Sequence, residues 1–245
     1  MYYNPMNSLL FGHVVTGTAP EILGRIRDPD INGVVQLEAI EPKAQQYLKS
    51  LKPDHLQLTK TSDTYDTVDL SIEFDAERTT LDDVKTKLGK GFPLNDKFND
   101  FAQDVFLTLE QFAEHTQKQN LIAFFNVSRP DNEQVWHRDE KTDVRGLKSY
   151  LSSGSWLRAN STNASPPPKE NYYGHLGDAP PTPPHLDFDL YQANIPESDK
   201  IQSPEASLSI WKGDQHANPL IHVKPVTKPN DFRMSMIINV APKAP

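Results

Sequence analysis

The apolar positions of this chain change their period near residue 120. Before that point, Phe98, Phe101, Val105, Leu109 and Phe112 recur at spacings of three and four, which puts them on one stripe of a helix. The spacing predicts a helix over 95–117, packed by that stripe on a sheet. Leu37–Leu51 reads as an amphipathic helix ending before Pro53, because proline drives the residue before it out of the α region. Thr80-Leu81-Asp82-Asp83 opens a short third helix. Thr80 can cap it, and Asp82 and Asp83 sit in the first turn, where the helix dipole favours negative charge. Residues 1–118 are therefore expected to mix helices with loops.

Beyond residue 120 the pattern is one of short strands. Asn120–Ser128, Gln134–Asp139, Gly146–Leu151, Ser155–Ala159, Ser207–Lys212, Leu220–Val226 and Phe232–Val240 are short segments set apart by turn signals such as Ser152-Ser153-Gly154. Strands of this length and spacing predict a sandwich or barrel. Residues 160–204, rich in Pro, Asn, Ser and Asp, read as a long irregular insertion, the kind of segment that forms a functional lid or is disordered, and as the segment expected to face substrate. The expected class is α+β, mainly β. It is one domain over 1–245, with 1–118 as a helical support packed outside a barrel formed by 119–245.

Composition narrows the chemistry. A chain of 245 residues can bury a full core as one domain. Its 33 acidic and 25 basic side chains give a net charge of −8, which argues against nucleic acid as a partner, since that surface would be basic. There is no cysteine, so any metal must be held by His, carboxylate or carbonyl groups. No apolar run approaches the roughly 18 residues of a membrane span, and Met1–Gly17 lacks the pattern of a signal peptide. A soluble, cytoplasmic protein without a membrane partner is expected. The 21 prolines against 11 glycines indicate stiff loops. No nucleophile elbow, P-loop or dinucleotide fingerprint is found, so hydrolase, kinase and nicotinamide-enzyme readings lack support.

Two segments carry the candidate chemistry. The first is Trp136-His137-Arg138-Asp139, and the second runs from His222 to Arg233-Met234-Ser235. Alternate residues of a strand share a face, so His137 and Asp139 project together, as do Arg233 and Ser235. With His222 opposite, two imidazoles and one carboxylate form a facial triad suited to non-haem Fe(II). The planar fork of Arg233 suits a carboxylate, with the Ser235 hydroxyl beside it. Each residue also has an ordinary reading: His137 as a half-buried strand histidine paired with Asp139, Arg233 as the partner of a surface carboxylate. The ordered set is more specific than any member.

A second H-x-D, His185 and Asp187, follows Pro180–Pro184. Prolines fit lids and edges better than central strands, so it ranks behind the first and could instead line an entrance. Tyr150 and Arg129 are strand-end candidates for orienting a co-substrate. Lys212 reads as a turn residue or a second carboxylate anchor. Trp156 and Trp211 read as core. His13, His55 and His115 read as surface or packing residues, and His175 and His216 as loop residues.

The ordered set resembles the Fe(II)/2-oxoglutarate oxygenase superfamily, over roughly residues 120–242. More narrowly, Trp136–Asp139, Ser149-Tyr150, Gly154–Leu157, Lys212-Gly213 and the run from His222 through Pro225 to Arg233 resemble an uncharacterised bacterial family, domain of unknown function 1826. The superfamily resemblance implies a double-stranded β-helix (a jelly roll, cupin-like). It also implies His137, Asp139 and His222 as metal ligands, and Arg233 with Ser235 as the 2-oxoglutarate anchor. The implied reaction is oxidation of an unidentified small-molecule or peptide substrate by O2, with decarboxylation of 2-oxoglutarate to succinate. The alternative is a cupin-like protein that binds Zn(II) or another divalent metal without oxygenase activity.

Overall fold

The protein is described from a computed structural model, over residues 14–61, 65–128, 139, 142–158, 200–213, 215–216, 220, 222–223, 225, 227 and 232–241. Strands β1 (Val14–Gly17) and β2 (Gly33–Gln36) flank a 3-10 helix, Pro20–Arg27. Helix α1 (Pro42–Ser50), a 3-10 turn at Pro53–His55, and strands β3 (Leu58–Lys60) and β4 (Tyr65–Asp75) follow. Helices α2 (Leu81–Leu88) and α3 (Phe98–Thr116) then lead into β5 (Asn120–Ser128), β6 (Val144–Leu151), β7 (Trp156–Arg158), β8 (Lys200–Gln202), β9 (Ser207–Lys212), β10 (His222–Val223) and β11 (Arg233–Val240). Among the described residues no helix is long and apolar enough to cross a membrane.

The strands form two sheets. Eight lie in the order β1-β2-β9-β6-β11-β5-β4-β3, and three in the order β10-β7-β8. Every pairing is antiparallel except β1 with β2. From β5 onward the chain alternates between the sheets: β5 and β6 in the large one, β7 and β8 in the small one, β9 large, β10 small, β11 large.

Helix α3 forms where the apolar stripe predicts it. Phe98, Phe101, Val105, Leu109 and Phe112 are all buried. They join Met234, Met236, Ile238 and Phe125 in one core on the outer face of the large sheet. Phe101 sits edge-on to Tyr150, with ring centroids 5.6 Å apart. Gly146 lets Phe112 lie close against the sheet, because a Cβ there would come within 2.8 Å of the Phe112 ring. Gln117 ends the helix in the left-handed region at φ 58°. Helix α2 starts at the predicted cap: Thr80 Oγ1 accepts from the Asp83 backbone N–H, and Asp83 accepts in return from the Thr80 N–H at 2.9 Å. The Thr80 hydroxyl, donating to the same carboxylate at 2.6 Å, and after it the Thr80 N–H hold the Asp83 carboxyl below its ordinary range.

Residues 1–118 are not a helical support alone. They contribute four strands, and β4 runs beside β5 while β2 joins the sheet through β9. The reason is legible in Val68–Asp75, where Val68, Ile72 and Phe74 are buried while Asp69, Ser71 and Glu73 are exposed. That is the period-two pattern of a strand with one face on the core. The insertion is also shorter at its C-terminal end than expected, since Lys200–Gln202 forms β8.

A buried ion pair ties α3 to the sheet. Lys148 on β6 lies 3.0 Å from the Asp104 carboxylate of α3 and donates to Thr108 Oγ1 at 2.6 Å. Burial lowers the Lys148 pKa, and the Asp104 charge acts against that shift.

Candidate metal centre between the two sheets

The inner face of the large sheet is set by strand register. On β6, Gly146, Lys148 and Tyr150 point to the α3 side, which leaves Arg145, Leu147 and Ser149 on the other. Across the sheet Arg145 pairs with Trp211 on β9 and Asn239 on β11, and Ser149 pairs with Ser207 and Ser235. The small sheet covers this face. Leu157 of β7, Leu220 and partly buried Ile201 of β8 pack on Trp211, Leu147, Val35 and Val14 as a second apolar cluster.

Asp139 and His222 meet between the sheets. Both are buried, at 4% and 5% exposure. Asp139 Oδ2 accepts from the Trp211 indole N–H at 2.6 Å. Asp139 Oδ1 accepts from Arg145 Nη1 and lies 3.8 Å from His222 Nε2. The His222 ring leans over Trp211, with centroids 4.6 Å apart. Burying a carboxylate is costly unless its charge is compensated, and here Arg145 compensates it while Trp211 adds a neutral donor.

The donor set fits a first-row divalent metal. Such an ion holds imidazole nitrogen and carboxylate oxygen at roughly 2.0–2.2 Å, so donors 3.8 Å apart are within reach of one ion. Asp139 and His222 could hold it in part. Among the described residues no cluster of three or more His, Asp or Glu completes such a site. His137 lies outside the described residues, as do His185, Asp187 and Arg129.

Arg233 and Ser235 share the inner face with this pair and are buried. The Arg233 Nε donates to the Ser153 carbonyl and Nη1 to Ser128 Oγ, each at 2.8 Å. Because β6 and β11 are antiparallel, with Arg145 opposite Asn239 and Ser149 opposite Ser235, the Asp139–Arg145 contact belongs to one end of the face and Arg233 to the other. Leu147, Ile237 and Ser209 lie between them. The Ser209 hydroxyl is buried and has no hydrogen-bond partner among the described residues.

Tyr150 is not brought to this face. It is fully buried on the α3 side, stacked on Phe125 at 6.0 Å. Burial, and after it the Asp104 charge, push its phenol well above the ordinary range. A register shift between Met234 and Ser235 leaves Tyr150 unpaired across β11, and the strand's alternation sends it outward. Lys212 also points outward and donates to the Asp28 carbonyl at 2.8 Å, so it does not face Arg233. His216 lies 2.5 Å from Asp143. Trp211, read as core, is core and also touches both Asp139 and His222. Arg145 carried no signal in the sequence, because its place beside Asp139 depends on which strands become neighbours.

No curated protein matches the chain in sequence. Among solved structures, 94% of the chain aligns with 83% of the rice dioxygenase for auxin oxidation, at 11% identity and a TM-score of 0.50. A further 95% to 93% alignment is found with dioxygenase for auxin oxidation 1 of Arabidopsis thaliana in its 2-oxoglutarate complex, at 11% identity and a TM-score of 0.49. A prolyl-4-hydroxylase from Pseudomonas putida aligns with 92% of this chain and 94% of its own, at 6% identity and a TM-score of 0.43. The rice enzyme shares the mainly β fold described above. The family model for the protein of unknown function DUF1826 matches residues 17–238, nearly the whole length, and the chain belongs to that family.

Proposed function

We propose that this protein is an Fe(II)/2-oxoglutarate-dependent oxygenase built on a double-stranded β-helix. The observation that carries the reading is the meeting of Asp139 and His222 between two sheets, on the same inner face as Arg233 and Ser235. The alternation of β5 to β11 between the sheets, with antiparallel pairing throughout those strands, supports the jelly-roll assignment, since a jelly roll winds one chain through two facing sheets. The fold shared with a dioxygenase is in keeping with it.

In this reading His137, Asp139 and His222 hold the metal, and Arg233 with Ser235 receives the distal carboxylate of 2-oxoglutarate. The metal, when bound, supplies the open positions at which the keto acid and O2 meet. The rest falls to the chain. Trp211 and Arg145 fix the Asp139 carboxylate from its two oxygens. Leu147, Leu157 and Leu220 form an apolar wall that excludes water and holds the substrate near the site. The substrate class, small molecule or peptide, is set by residues that approach this mouth. A soluble, cytoplasmic setting suits an enzyme that draws on a central metabolite.

The test is anaerobic reconstitution with Fe(II), followed by O2 and 2-oxoglutarate. Succinate release with matching oxygen uptake, lost in Asp139→Ala, supports the reading. Metal binding without either product moves the protein to the cupin-like metal-binding alternative.

Arg233 yields a graded expectation. Arg233→Lys keeps the charge but loses the planar fork, so 2-oxoglutarate affinity should fall while metal affinity holds. Arg233→Ala should lose more, because a hydrogen bond to a charged group is worth roughly 1.5–3 kcal/mol, or about ten- to a hundredfold in Kd. Calorimetry giving equal 2-oxoglutarate affinity for wild type and Arg233→Ala would remove the co-substrate role.

A further inference from the structure

The two oxygens of Asp139 have different duties. Oδ2 is held by a neutral donor, the Trp211 indole N–H at 2.6 Å. Oδ1 receives the Arg145 guanidinium and faces His222 Nε2 at 3.8 Å. Arg145 is fixed from a second side, because its Nε donates to Asn239 Oδ1 at 2.8 Å across the β6–β11 ladder. A full positive charge is thus anchored on the oxygen that would bind metal, where it balances the buried carboxylate while the site is without metal.

We propose that Arg145 is a positioning residue that sets the metal affinity of the Asp139–His222 pair, keeping a divalent cation weakly held and exchangeable. This rests on the reading of Asp139 and His222 as metal ligands. Two effects compete. Removing a partner that orients a metal ligand usually costs about 10–100-fold in affinity. Here Trp211 holds the carboxylate independently, through the other oxygen, so most of the orientation survives without Arg145. The opposing effect is charge. A divalent ion on Oδ1 and a guanidinium on the same oxygen are separated by one atom. Asp139 and His222 are buried and the Arg145 side chain is 26% exposed, so at this separation, well inside a Debye length, solvent and salt screen the repulsion only in part. Arg145 also draws negative charge from the donor oxygen through its charge-assisted hydrogen bond. Repulsion and competition therefore outweigh the lost orientation, and the sign reverses: deleting this cation tightens metal binding. Trp211 carries the opposite sign, since its N–H orients the carboxylate without adding charge.

The experiment is Mn(II) binding to the full chain, followed by calorimetry and by tryptophan emission, with Trp211 in ring contact with His222 as the reporter. Arg145→Gln should bind Mn(II) at least tenfold more tightly than wild type. Arg145→Met, which keeps the aliphatic stem along β6, should behave alike and carries the test if Arg145→Gln does not fold. Arg145→Lys restores a cation and should return affinity towards wild type. Trp211→Phe, which keeps the ring and loses the N–H, should weaken binding about tenfold. Equal or weaker Mn(II) binding in folded Arg145→Gln or Arg145→Met overturns the proposal, as does failure of Arg145→Lys to restore it. If wild type binds Mn(II) and His222→Ala does not, while the Arg145 variants match wild type, this inference alone fails. If wild type binds no Mn(II), the metal-ligand reading fails and takes the inference with it.

Discussion

His222→Ala is expected to abolish stoichiometric binding of a divalent metal, while His115→Ala leaves it unchanged. His222 is buried and its Nε2 faces the Asp139 carboxylate at 3.8 Å. Its loss removes one donor and leaves a cavity under Trp211 rather than a substitute ligand. His115 lies in the last turn of α3, on the far side of the large sheet. The two variants separate a specific site from the general affinity of histidines for metals. Thermal unfolding gives a second reading. A metal at 100 times its Kd stabilises a protein by about 2.7 kcal/mol, and that gain should vanish in His222→Ala alone. A metal-dependent shift that persists in His222→Ala would place the ion elsewhere and remove the basis of the proposed site.

Lys148→Met is expected to destabilise the fold by about 3–5 kcal/mol, the usual cost of leaving one member of a buried pair without its partner. Lys148 and Asp104 are 2% and 4% exposed, and 3.0 Å apart. Without the ammonium, Asp104 keeps the Glu41 backbone N–H at 3.3 Å, which does not balance a buried charge. The double variant Lys148→Met, Asp104→Leu should recover most of the loss, because apolar replacements of a whole buried pair are often neutral or better. Denaturant unfolding of the two singles and the double measures the coupling directly. A single-variant cost below about 1 kcal/mol would mean that water reaches the pair and that α3 is held by its apolar stripe alone.

Much of the fold could be read from local pattern. The stripe of α3, the Thr80 cap and the runs that became β5, β6, β9 and β11 are set by side-chain periodicity and by capping chemistry, which act within a few residues. The strand Tyr65–Asp75 had the same kind of signal in its alternation of Val68, Ile72 and Phe74 with acidic and small residues, yet residues 1–118 read as helices and loops. β1, β2 and β8 are three or four residues long, and a segment that short becomes a strand only when a neighbour supplies its hydrogen bonds.

The candidate site divides in the same way. Its chemical inventory, a carboxylate, imidazoles and a forked cation without any cysteine, was determined by the sequence, because residue type alone limits which metals and anions can be held. The shared face of Arg233 and Ser235 was determined there too, since alternation along a strand is local. Only the tertiary structure decided which side of the sheet each strand presents. Tyr150, next in the chain to Ser149, went to the α3 side, while Ser149 went to the inner face. Only the tertiary structure decided that Arg145 and Trp211 would hold Asp139, from strands whose register brings positions 66 residues apart opposite one another. Register across a sheet is fixed by the sum of core packing over all its strands, and no single segment contains that information.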